Sequence, residues 1–201
     1  GGIQGDARKG VHISNCVNHA SVTAPTQAAG MVAYACDDGS VEGAFLADGC
    51  VNYGDINAFT TTKKGDAGSV VGYIGHKSAV VNVYVVKNCI NYGEIKGSNR
   101  VGGMVGYTYA GSKRYLEIEN CANFGKIMST AYASNFVGYT NSVKTKIANS
   151  IGAGTFEAIE LKDETGKVIN EVTPTMCILG ISSADATQMN FENIILLEGH
   201  G

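Results

Sequence analysis

Asn88-Cys89-Ile90-Asn91-Tyr92-Gly93-Glu94-Ile95, followed by Val101-Gly102-Gly103-Met104-Val105-Gly106-Tyr107, is the unit from which most of the chain is copied. Its first half returns as Cys16-Val17-Asn18-His19, Cys50-Val51-Asn52-Tyr53-Gly54-Asp55-Ile56 and Cys121-Ala122-Asn123-Phe124-Gly125-Lys126-Ile127, with a worn copy at Ser150-Ile151-Gly152-Ala153-Gly154-Thr155-Phe156. The second half returns in step at Gly30-Met31-Val32-Ala33-Tyr34, Ser69-Val70-Val71-Gly72-Tyr73 and Asn135-Phe136-Val137-Gly138-Tyr139. The cysteine position recurs after 34, 39, 32 and 29 residues, a spacing in the range of stacked structural repeats.

Each copy holds three strand-like pieces: one ending at the cysteine, one around the Ile95 position and one at the Gly-Met-Val-Gly-Tyr position. The first alternates apolar and polar residues, as in Leu116-Glu117-Ile118-Glu119, the mark of a strand with one buried face. No repeat sustains the 3.6-residue apolar spacing of a helix, and the glycine and β-branched content would weaken one. The sequence therefore predicts an all-β chain: a right-handed parallel β-helix, a three-sided β-solenoid over residues 1–156, with a C-terminal capping segment of the same domain over 157–201. In such a coil each strand pairs with its counterpart one turn on, so like residues stack. The expected ladders are Asn18–Asn52–Asn91–Asn123, His19–Tyr53–Tyr92–Phe124, Val22–Ile56–Ile95–Ile127–Phe156 and Tyr34–Tyr73–Tyr107–Tyr139. An inward asparagine can bond both its own turn and the asparagine of the next coil, which accounts for the residue type without a ligand.

After Phe156 the repeat stops. Asp163-Glu164-Thr165-Gly166 between two apolar runs is a hairpin signal, and Asn193-Ile194-Ile195-Leu196-Leu197 reads as a last apolar strand. A solenoid ends in a row of unpaired backbone, and covering it is the expected job of this tail. No matching cap precedes Val11, so the sequence predicts the trailing part of a longer protein.

Composition narrows function by exclusion. The 201 residues include 27 glycines, 44 % are hydrophobic and 16 % charged, and the net charge is −3 with both signs scattered. That is a folded chain without the basic footprint of a nucleic-acid binder. No window has the ~18 apolar residues of a membrane span, and the segment carries no signal peptide. Four of the six cysteines (Cys16, Cys50, Cys89, Cys121) share one repeat position. Stacked side chains point the same way, which favours buried free thiols over disulfides. Cys36 and Cys177 stand outside that ladder with no assignable partner.

Zincin, phosphate-loop, nucleophile-elbow and EF-hand motifs are missing, and neither a catalytic residue, a cofactor nor a metal is implied. Cys16-x-x-His19 has metal-ligand spacing, but later copies put Tyr or Phe at the histidine place, which favours a ladder member over zinc. Asp37-Asp38-Gly39 favours a solvated turn over calcium. The most enzyme-like feature is Asp55 below Glu94, two carboxylates that stacking would bring to the separation of a retaining glycosidase pair. The next residue in that column is Lys126, and Asp48–Lys87–Glu119 forms another mixed column, so both read as solvated charge ladders. Loops project where a solenoid tolerates insertion, making Asp37, Asp38, Lys63, Lys64, Lys113 and Arg114 the candidate contact residues.

The Gly103-Met104-Val105-Gly106 stretch, after a Cys-x-Asn-Tyr-Gly element, resembles the GLUG-motif repeat family of bacterial secreted and surface proteins. The match covers residues 11–156 as repeat texture, with Met for Leu at 104 and Ala33, Ser69 and Asn135 in place of glycines. The resemblance implies an extracellular or cell-surface β-solenoid that is not an enzyme and whose work is adhesion or glycan binding, with a polysaccharide or host surface protein as partner. The alternatives are a polysaccharide-acting enzyme or accessory region of a secreted hydrolase, and a structural spacer.

Overall fold

The computed structural model describes residues 1–8, 10–36, 44–61, 64–75, 81–109, 114–141, 143–170 and 189–197. β1 (Gln4–Arg8) precedes a first rung of β2 (His12–Ser14), β3 (Val17–Asn18), β4 (Val22–Thr23), β5 (Gln27–Ala29) and β6 (Val32–Cys36). The second rung is β7 (Ala44–Asp48), β8 (Val51–Asn52), β9 (Ile56–Ala58), β10 (Asp66–Gly68) and β11 (Val71–Ile74). The third is β12 (Asn82–Lys87), β13 (Ile90–Asn91), β14 (Ile95–Gly97), β15 (Arg100–Gly102) and β16 (Val105–Thr108). The fourth is β17 (Arg114–Glu119), β18 (Ala122–Asn123), β19 (Ile127–Ser129), β20 (Tyr132–Ser134) and β21 (Val137–Thr140). β22 (Lys144–Gly152) and β23 (Phe156–Ala158) make the fifth, and β24 (Met189–Leu196) lies beyond.

Every ladder between these strands is parallel, and each strand pairs with its counterpart one rung away, so the chain is a parallel β-solenoid. Where the sequence shows three strand-like pieces per coil, the structure has five strands in four sheets. Part of the difference is a bend within one face. In the first four rungs the strand before the cysteine and the strand after it are separate, whereas β22 runs through both without a break. The bend falls on the residue before the cysteine, which has φ between 52° and 66° at Asn15, Gly49, Asn88 and Asn120; Asn149, before Ser150, keeps a φ of 49° within the unbroken β22. Only glycine and, at lower frequency, asparagine or aspartate enter that left-handed region readily, which explains why the position holds four asparagines and one glycine. The other addition is the ladder β5–β10–β15–β20. Its first residues, Gln27, Asp66, Arg100 and Tyr132, share no chemistry from rung to rung.

The apolar part of the interior falls into two buried clusters. One cluster gathers Met31, Val70, Met104 and Phe136 with Ala47, Val86, Ile118 and Ile147; the other gathers Ile56, Ile95 and Ile127 with Ala28, Ala67 and Val101. Inside the body runs the asparagine ladder. Nδ2 of Asn18, Asn52 and Asn91 each donates to Oδ1 of the next asparagine at 2.8 Å, and Asn52 and Asn91 also donate to the carbonyls of Gly54 and Gly93. These amides press against the start of the Gly-Met-Val-Gly segment. A Cβ at Gly30 would lie 2.4 Å from Asn52 Oδ1, and one at Gly103 would lie 2.6 Å from Asn123 Cγ. At these two rungs the motif's first glycine leaves room for the ladder amide, whereas Ser69 and Asn135 hold the position in the other two.

The tail forms the expected hairpin, with Lys162 bridged to Val168 and Asp163 accepting from Thr165 and Lys167 around Gly166. β24 pairs with β22 in phase, Ile147 to Phe191 and Ile151 to Ile195, and Asn193 repeats the left-handed φ at 51°. It covers the outer edge of β22 by adding a sixth rung. Among the described residues no helix is long and apolar enough to cross a membrane.

Candidate functional site

Each inward asparagine is flanked by two outward residues, so the turn after each β3-type strand exposes two columns side by side. The first column holds Val17, Val51, Ile90, Ala122, Ile151 and Ile195. The second holds His19, Tyr53, Tyr92, Phe124, Ala153 and Leu197, whose later members each donate their N–H to the carbonyl of the Asn18 position one rung earlier. Val17, Tyr53, Tyr92, Phe124, Ile195 and Leu197 are between 44 % and 53 % exposed. The result is a stripe crossing six rungs, apolar except for His19, in which Val51, Ile90, Ala122, Ile151 and Ala153 are partly buried; it is more than scattered surface hydrophobes require.

The four rings are stacked. Their centroids are 4.9, 5.1 and 5.4 Å apart with interplanar angles of 4°, 7° and 13°. Stacking covers the faces between neighbours and turns ring edges and the tyrosine hydroxyls outward. Beside the rings stands the column Asp55–Glu94–Lys126. Glu94 N–H donates to Asp55 Oδ1 at 3.1 Å, and both carboxylates are exposed. Lys126 turns to Glu157, whose carboxylate raises the Lys126 pKa. The pair thus lies on an exposed flank of the solenoid.

Of the loop candidates, Asp37, Asp38, Lys63 and Lys113 lie outside the described residues. Lys64 is exposed beside Gly65, and Arg114 opens β17. Cys16 and His19 do not converge: the Cys16 thiol donates to Ser14 O at 3.4 Å, while His19 points out and stacks on Tyr53. Among the described residues no group of three metal-ligating side chains comes together. Cys16, Cys36, Cys50, Cys89 and Cys121 are free thiols. The neighbouring Cys121 thiol, chiefly, pushes Cys89 up to about 12, and the Cys89 thiol together with burial raises Cys50.

A second polar cluster had no sequence expectation. Asp66, with a side chain 2 % exposed, receives Nε and Nη2 of Arg100 at 2.7 and 3.0 Å, and the guanidinium lies 3.4 Å from the centroid of Tyr107. Burial raises the Asp66 pKa and Arg100 opposes the rise. Tyr107 belongs to the Tyr34–Tyr73–Tyr107–Tyr139 ladder, with neighbouring centroids 5.0 to 5.8 Å apart. The two charges saturate each other, so this cluster reads as a lock between rungs. The available signal was Asp66 and Arg100 at equivalent positions of successive copies.

No family model matches the chain, and no curated protein matches it. Among solved structures it is similar to a Bacteroides ovatus protein provisionally named an immunoglobulin A1 protease, at 16 % identity and a TM-score of 0.62. The likeness covers 98 % of this chain and 56 % of that one, so the chain spans about half the length of the structure whose fold it shares.

Proposed function

We propose that the chain is a non-enzymatic β-solenoid module of an exported bacterial protein, of the GLUG-motif kind, and that it works by contact. The apolar stripe carries this reading. A solenoid needs only its inward columns to stand, and this one also maintains two outward columns in phase over six rungs, apolar throughout except for His19. Adhesion to protein suits the stripe better than glycan binding, because sugars stack on ring faces and these faces are largely taken by neighbouring rings. The proposed setting is extracellular, by the family resemblance.

A second reading, an accessory region of a secreted hydrolase, draws support from the provisional name of the Bacteroides ovatus protein. The test couples the chain to beads and scores adhesion to beads bearing the same chain, to immobilised polysaccharides and to immunoglobulin A. In parallel, the soluble chain is assayed for released reducing ends and cleaved peptide. Adhesion that Tyr53→Ser with Tyr92→Ser abolishes supports the contact module. Turnover that disappears in Asp55→Asn with Glu94→Gln overturns it in favour of an enzyme.

A further inference from the structure

The stripe has a pitch, a pattern of sizes and charged flanks, and together they specify an occupant. We propose that it docks a second copy of this chain, side by side and antiparallel, about a two-fold axis crossing the stripe between the third and fourth rungs. This rests on the contact-module reading and names its partner.

Pitch comes first. Strands in a sheet repeat every ~4.8 Å, so six rungs give a stripe about 24 Å long. Two surfaces interdigitate over that length only if their repeats agree, and a second copy agrees by construction.

Size is the second constraint. The proposed axis sets the first rung of one copy against the sixth of the other, the second against the fifth and the third against the fourth. Tyr53 then faces Ala153 and Ile90 faces Ala122, large against small, while Val17 faces Ile195, Val51 faces Ile151 and His19 faces Leu197. Near the axis Tyr92 faces Phe124. An isologous interface makes each of these contacts twice.

Charge is the third. An axis in the plane of contact, perpendicular to the stripe, lays each flank against the same flank of the copy, reversed. On the ring side Glu94 meets Lys126, which would bridge it and the Glu157 of its own chain, and Asp55 meets the uncharged Thr155. On the other side, the ladder of Asp48, Lys87 and Glu119 sets Lys87, already 3.3 Å from Asp48 of its own chain, against Glu119, while Asp48 falls opposite the rung of the buried Ala148 and meets no charge of this column. Within these columns no like charges face each other. A parallel pairing would oppose Asp48 to Asp55. A stripe two residues wide and about 24 Å long falls short of the roughly 800 Å² per partner of a standard interface, so the dimer is weak and forms where copies are concentrated.

The test is sedimentation velocity of the intact chain from low micromolar to millimolar concentration. The expected result is a concentration-dependent dimer. Glu94→Lys should weaken it by at least about tenfold, because the new lysine faces Lys126. Adding Lys126→Glu should restore it. Circular dichroism of each variant checks that these surface changes leave the fold intact. A chain monomeric throughout, or a dimer indifferent to Glu94→Lys, overturns the proposal. Rescue by Lys87→Glu in place of Lys126→Glu would show the parallel pair and overturn it as well. A monomer that still adheres to a glycan or host protein through Tyr53 and Tyr92 overturns the second-copy partner alone. The contact-module reading itself fails if nothing adheres.

Discussion

Asn135 occupies the space that Gly152 leaves open. The fifth rung lacks the ladder asparagine, and a Cβ on Gly152 would lie 2.8 Å from Asn135 Cβ, Cγ and Nδ2. Asn135 stands where Gly103 stands one rung earlier. Its Oδ1 takes the Asn123 amide at 2.8 Å and the Gly154 N–H at 3.0 Å. The ladder thus ends on an asparagine supplied from the opposite corner.

Asn135→Gly should accordingly cost about 1–3 kcal/mol, since it strands two buried donors. Gly152→Asn alone should also destabilise, through the clash. Together, Asn135→Gly with Gly152→Asn rebuilds the pattern of the earlier rungs and should recover most of the loss. Denaturant melts of the four proteins form a double-mutant cycle, and additive costs would refute the exchange.

At the left-handed position, Asn120→Ala should cost about 1–2 kcal/mol and Asn120→Gly less. Asn120 Nδ2 reaches Asn88 Oδ1 at a long 3.3 Å, so the gap between the two variants chiefly reports φ. Equal losses in urea titrations would assign the cost to the side-chain bond.

Much of this architecture was legible because identical side chains recur in phase: the asparagine, aromatic, isoleucine and tyrosine ladders stand as the repeat implies. What escaped lacked that identity. The column Gln27–Asp66–Arg100–Tyr132 changes character at every rung, so no repeat announces its strands. β24 shares with Asn88-Cys89-Ile90-Asn91 little beyond Asn193 and an apolar texture, which hid the sixth rung. The stripe was half legible. The rings were foreseen as a ladder, but their joining a second apolar column into one surface depends on which side of each strand faces out.

Removing the cation of the buried pair should be costly near neutrality. Arg100→Met keeps an apolar body over Tyr107 but leaves Asp66 charged and alone, a loss of about 3–5 kcal/mol. Without Arg100 the Asp66 pKa rises further above its usual value. The folded variant then binds a proton more readily than its unfolded chain, so its stability gains, relative to the parent, as pH falls through that raised pKa. Unfolding free energies of both proteins near neutrality and near pH 4 measure the gap, which should narrow on acidification. A gap that stays constant or widens would contradict the charge argument.

Native alkylation should spare Cys50, Cys89 and Cys121, which are buried with raised or inward-held thiols, and should reach Cys16 first, at the partly exposed first rung. Reaction requires the thiolate, and a thiol near 12 is almost wholly protonated at neutral pH. Peptide mapping after native and denatured labelling separates the sites. Rapid native labelling of Cys89 would show that the ladder opens.

β1 lies on the outer edge of β6, and β24 lies on the outer edge of β22, at opposite ends of the stack. A pull between those two strands runs along the solenoid axis, the direction in which the interstrand hydrogen bonds point. Tension would therefore peel a terminal rung bond by bond, because shear across several ladders at once needs a force along the strands. Each peeled rung frees a coil of 29 to 44 residues, the spans bridged by equivalent hydrogen bonds, which is about 100–150 Å of slack at ~3.4 Å per residue. In the contact role proposed above, a chain under load would lengthen in steps, with the remaining rungs still folded.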